Sequence, residues 1–157
     1  MTMPADIFFY HLQMQPLEGT LPLLLEKCVE KGWSAFVQTG SHERATALDN
    51  HLWTWREDSF LAHGMASMAH AGRQPVLIAS EGIKAENGAA VRFFVDGAKP
   101  ESDLTLLEGL ERAILMFDGN DHEALQAARQ SWRALKEAGF PVTYWQQSER
   151  GGWQKKA

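Results

Sequence analysis

Apolar and polar positions alternate along the chain in short blocks that switch between strand-like and helical spacing. Ile7-Phe8-Phe9-Tyr10-His11-Leu12 is a brief aromatic run bounded by Pro4 and Pro16, as expected of a strand buried on both faces. A helix follows, with Thr20 as its expected cap and Pro22 tolerated in its first turn. Leu21, Leu24, Leu25, Cys28 and Val29 fall at i, i+3, i+4, i+7 and i+8 before Gly32 stops it. Trp33 to Thr39 reads as a second strand. Ser41 then caps a second helix whose buried stripe is Ala45, Leu48 and Leu52 and whose end is near Trp53.

Beyond that helix, Thr54 to His63 is a connection leading into a short extended piece around Ser59-Phe60-Leu61. Pro75 to Ala79 and Val91 to Val95 read as strands, separated by a polar stretch whose Asn87-Gly88 dipeptide also suits a hairpin. Pro100 to Gly109 has room for a short helix, and Arg112 to Phe117 reads as a strand. Asp121 to Ala138 reads as a long helix closed by Gly139, and Val142 to Trp145 as the last strand. This alternation predicts a single-domain, three-layer α/β fold of Rossmann-like type. Its sheet is mostly parallel, with a mixed sheet left open by Asn87-Gly88. The expected domain is residues 1–148, followed by a loose tail over residues 149–157.

Composition narrows the functional classes. The 157 residues carry 15 Lys plus Arg against 20 Asp plus Glu, a net charge of -5, so the surface as a whole does not attract duplex DNA. The single cysteine, Cys28, precludes an internal disulfide and sits on the core stripe of its helix. Neither a secretory start nor an apolar run of membrane-spanning length is present, so a cytoplasmic protein without membrane association is expected.

The loops after the strands carry little catalytic chemistry. Gln13 to Gly19, after the first strand, has one glycine at its end and no Gly-x-Gly-x-x-Gly. No phosphate-binding loop of the Gly-x-x-x-x-Gly-Lys-Ser/Thr type and no Gly-x-Ser-x-Gly elbow occurs. No catalytic residue, cofactor or metal is expected. His63 and His70 lack a nearby cysteine or carboxylate, and His63 reads as a residue whose ring nitrogens hold backbone. The informative segment is the long helix, where Arg129, Arg133 and Lys136 share one face and Ala124, Ala128, Ser131, Leu135 and Ala138 another. Trp132 lies between the two. An arginine fork beside an apolar ring suits an acidic, aromatic C-terminus. A second aromatic cluster, Trp53, Trp55 and Phe60, consists of core plugs or the wall of an apolar pocket.

Several of these segments together resemble the chi subunit of bacterial DNA polymerase III. They are Ile7-Phe8-Phe9-Tyr10, Ala47-Leu48-Asp49-x-x-Leu52-Trp53, Ser59-Phe60-x-x-His63, Pro75-Val76-x-Ile78-Ala79 and Arg129-x-x-Trp132-Arg133 through Ala138-Gly139-Phe140. The resemblance implies a non-catalytic adaptor of the clamp loader that binds the acidic C-terminal tail of single-stranded DNA-binding protein. It also implies the psi subunit or another clamp-loader component as second partner, and no strong direct DNA binding. By residue matching, Trp53, Phe60, Arg129, Trp132 and Arg133 fall on the tail-binding positions. Trp53, Phe60 and Trp132 would form the apolar pocket, Arg129 would hold the terminal carboxylate and Arg133 would attract aspartates. Here Trp132 replaces a common tyrosine, Leu125 a lysine and Asp118 an apolar residue. Lys155 and Lys156 both remain open as counterpart of the family's terminal lysine. The competing reading is a nucleotide-binding α/β enzyme without a recognisable motif. A third is a single-stranded nucleic-acid binder that stacks bases on Trp132 and Trp153 beside Lys155 and Lys156.

Overall fold

The computed structural model describes residues 4–55, 61–66, 72, 74–80, 82–150 and 152–157. Its elements are β1 (Asp6–Leu12), α1 (Leu17–Glu30), β2 (Ala35–Gln38), α2 (His42–Thr54), β3 (His63–Met65), β4 (Val76–Ala79), β5 (Val91–Phe94), two 3-10 turns (Pro100–Ser102 and Leu104–Leu107), β6 (Arg112–Asp118), α3 (His122–Glu137), β7 (Val142–Gln147) and β8 (Trp153–Lys155). The strands form one sheet in the order β3-β4-β2-β5-β6-β1-β7-β8. Every pairing in it is parallel except β7 with β8. With α1 and α2 on one face and α3 on the other, this is a three-layer α/β fold with a mostly parallel, mixed sheet.

Local chemistry sets the helix limits. The Ser41 hydroxyl accepts from the Arg44 N–H at 3.2 Å, and the Asp121 carboxylate accepts from the N–H groups of Glu123 and Ala124. Gly139, at φ 91°, terminates α3. The start of α1 differs from the sequence expectation. Pro16 is the capping position and Thr20 lies inside the helix, its hydroxyl donating to the Pro16 carbonyl at 3.1 Å. Pro22 therefore sits one turn deeper than expected and is buried.

Two further expectations are revised. Asn87-Gly88 is not a hairpin, because β4 and β5 both run parallel to β2 on opposite sides of it. The Asn87 amide instead donates to the carbonyls of Ala35 and Gln74, tying together the chain entering β2 and β4. The edge strand β3 is His63–Met65, and residues 59 and 60 of the extended piece expected around Ser59-Phe60-Leu61 lie outside the described residues. Trp153–Lys155, expected to be tail, pairs with Trp145–Gln147 and completes the sheet.

Alternation along the strands decides which face each side chain joins. Val37, Ile78, Phe93, Ile114 and Met116 meet Leu21, Leu25, Cys28, Leu48 and Leu52 from α1 and α2. Ile7, Phe9, Leu115 and Phe117 meet Ala128 and Leu135 from α3. β1 feeds α1 toward β2 on one side, whereas β6 feeds α3 toward β7 on the other. The neighbouring ends of β1 and β6 are therefore the topological switch point, where such folds keep a crevice.

Candidate peptide-binding site

The exposed side of α3 carries Arg129, Arg133 and Lys136, and its inner side packs Ala128, Ser131 and Leu135 on the sheet. Ala138, expected on the inner face, is exposed at the C-cap. Trp132 is half-buried at the border. Its ring meets Phe9 edge-on at 5.3 Å and Tyr144 edge-on at 5.7 Å, while the Lys136 ammonium lies 5.4 Å from its centre. These contacts hold a broad apolar surface in place beside three cations.

Beneath this surface lies a pair that the sequence did not single out. His11 Nδ1 is 2.6 Å from the Tyr144 hydroxyl. Burial pushes the His11 imidazole below its usual pKa, Asp118 opposes that shift and the Arg129 guanidinium reinforces it. Burial also raises the Tyr144 phenol, against the pull of Arg129. Arg129 is thus close enough for its charge to be felt by both. The alternation in β1 and β7 was the available signal, since it places residues 11 and 144 on the same side as Phe9.

The end of the chain adds a further cation. The Lys156 N–H donates to the Tyr144 carbonyl at 2.8 Å, so Lys156 stands beside Tyr144. Lys155 is instead paired with Trp145, whose ring belongs to the opposite face. This assigns Lys156, rather than Lys155, to the α3 side.

Trp53 is not brought to this site. It is 57% exposed at the end of α2, its ring 4.5 Å from that of His63. α2 packs over β3 and β4, on the opposite face of the sheet from α3 and toward its far edge. Phe60 and His70 lie outside the described residues. Both His63 ring nitrogens approach backbone oxygens, Nδ1 that of Leu61 at 2.7 Å and Nε2 that of Asp49 at 3.1 Å, with the Asp49 carboxylate at 3.3 Å.

A cleft of about 770 Å³ lies at the switch point, on the other flank of α3. Phosphates would sit there against the N-termini of α1 and α3. Those termini present Glu18, Asp121 and Glu123, with Asp96 and Asp118 nearby against only Arg44 and Lys99. Arg44 is itself engaged by Glu18 and Asp96 at 3.6 and 3.4 Å. This charge distribution disfavours a polyphosphate, which weighs against the nucleotide-enzyme reading.

Comparison with known proteins agrees with the order of motifs along the chain. No curated protein matches it. The family model described as DNA polymerase III chi subunit, HolC, matches residues 3–143, a span running from the start of β1 into β7. The chain, with its mostly parallel sheet and its basic-aromatic α3, accordingly belongs to the DNA polymerase III chi subunit family.

Proposed function

We propose that this polymerase III accessory subunit is a cytoplasmic, non-catalytic adaptor that binds the acidic C-terminal tail of single-stranded DNA-binding protein and links it to the clamp loader. The observation carrying this reading is the cluster of Arg129, Arg133 and Lys136 around the half-buried rings of Trp132 and Tyr144. Arg129 takes the terminal carboxylate with paired N–H donors, Trp132 supplies the apolar surface, and Arg133 attracts aspartates upstream. Lys156 extends the basic rim on the β7 side. Trp53 is not part of this pocket in our reading. An adaptor needs a second surface, and exposed Trp53 on the opposite face offers one to psi or another clamp-loader component.

Titration calorimetry with a peptide copying the tail of the organism's own single-stranded DNA-binding protein tests the proposal. Saturable binding is expected to weaken roughly tenfold or more on Arg129→Ala or on amidation of the peptide, as loss of a charged hydrogen-bond pair costs about 1.5–3 kcal/mol. Affinity indifferent to both changes would refute the assignment of Arg129.

A further inference from the structure

The α1 face of the sheet is only partly covered. α1 crosses β2 and β6, and among the described residues no helix packs over β7 and β8 on that side. On the uncovered part stand four half-buried aromatic rings, Phe8 and Tyr10 from β1, Trp145 from β7 and Trp153 from β8. Phe8 meets Trp145 at 6.3 Å and Tyr10 meets Trp153 at 4.7 Å. Cations border them. The Arg112 guanidinium lies 4.3 Å from the Phe8 ring centre, and Lys155 is the cross-strand neighbour of Trp145. Between this platform and α1 is a pocket of about 170 Å³ lined by Tyr10, Trp33, Lys27, Lys31 and Arg112 among others. The Lys31 ammonium sits 5.1 Å from the Trp33 ring. Asp6, in register with Arg112 on β1, and Glu111, just before β6, are carboxylates at this end of the strands.

Two buried donors here, Arg112 Nε and Trp145 Nε1, have no hydrogen-bond partner in the structure. Both atoms are closed off by the protein itself, so recognition of an occupant falls to the exposed cations and ring surfaces. The cations ask for anions, and the rings ask for flat apolar faces. A nucleotide supplies both in every unit of its chain. An acidic peptide supplies anions with few rings, and a second copy of this protein would set the same cations against each other.

We infer that the face formed by Phe8, Tyr10, Trp145 and Trp153, with Lys27, Lys31, Arg112 and Lys155 at its border, is a contact for single-stranded nucleic acid. Bases stack on the rings and the backbone follows the cations, as on other strand-binding surfaces. On a chain of net charge -5 the contact is weak and strongly salt-dependent. It is separate from the α3 site, which occupies the opposite face.

The test uses a fluorescent oligothymidylate with the full-length protein, followed by anisotropy at about 50 mM salt and above. Lys27 and Lys31 are exposed, so the double variant Lys27→Glu/Lys31→Glu should fold, as an unchanged melting temperature and intact tail-peptide binding would verify. Saturable binding is expected, with its log–log salt slope reduced by about 1.4 in the double variant as two phosphate contacts are lost. Arg129→Ala should leave oligonucleotide binding unchanged. Photocrosslinking with 5-iododeoxyuridine should mark Tyr10, Trp33, Trp145 or Trp153. Absence of binding at low salt, an unaltered slope in the double variant, or crosslinks confined to α3 would each overturn the inference. So would an acidic peptide whose own binding, rather than that of the oligonucleotide, is lost in the double variant.

Discussion

His11 and Tyr144, 133 positions apart, meet through a 2.6 Å contact between Nδ1 and the phenol hydroxyl at the base of the α3 site. β1 and β7 are neighbours in the sheet, and the register sets both residues on the side covered by α3. The pair anchors the floor on which Trp132 rests and over which the Arg129 charge acts.

This pair carries a pH dependence of stability. Burial lowers the folded-state pKa of His11 below the ordinary 6.5, so below that pH the unfolded chain binds more protons than the folded one. Its contribution is fully present above pH 6.5 and is lost as pH falls through the folded value. Urea unfolding between pH 5 and 8 should show a decline on the acid side that is shallower in His11→Gln. Equal slopes in the two proteins would remove His11 as the cause.

Gly119 is required by the same histidine. Its N–H donates to the Leu12 carbonyl at 2.8 Å, and a Cβ built there would overlap the His11 ring. Gly119→Ala is expected to destabilise the fold by about 1–3 kcal/mol through overpacking. The double variant Gly119→Ala/His11→Ala should regain much of that loss, and additive costs would contradict the clash.

Arg92 is a buried guanidinium in a central strand, only 1% exposed, held by Gln38 Oε1 at 2.8 and 3.3 Å and by the Phe36 ring at 4.2 Å. Desolvation pulls its pKa down to about 10. Gln38→Leu leaves this charge without its acceptor and should cost about 2–3 kcal/mol in urea unfolding. Arg92→Met, which removes the charge itself, should be far milder. The reverse order would show that the pair, and not burial of the charge, dominates.

The separation of Trp53 from Trp132 predicts opposite phenotypes. Trp132→Ala removes the ring packed on Phe9 and Tyr144, so it should lose about 2–4 kcal/mol of stability together with tail-peptide binding. Trp53→Ala should cost less than about 1 kcal/mol and leave peptide affinity unchanged. Weakened binding of the peptide in Trp53→Ala would mean that both faces contribute to one site.

Much of the architecture is legible in the sequence. Ser41 and Asp121 mark helix starts, Gly139 marks a stop, and the alternation of Phe8 with Phe9 or Trp145 with Tyr144 assigns each residue to one of two faces. These signals are local: a cap satisfies N–H groups two or three residues away, and a two-residue period records only which way a side chain points from its own strand. Arg129, Trp132 and Arg133 could therefore be grouped from the chain alone, because one helix carries them. Tertiary structure decided the rest. Asn87-Gly88 looked like a hairpin because its turn chemistry is indifferent to whether the flanking strands pair with each other or with a third. Trp53 looked like a neighbour of Trp132 because aromatic character does not encode a face of the sheet. His11 found Tyr144, and Trp153 found Tyr10, only once the crossovers through α1 and α3 had led away from the β1–β6 boundary in opposite directions. That choice is set by the packing of whole helices on the sheet, which no short stretch of sequence contains.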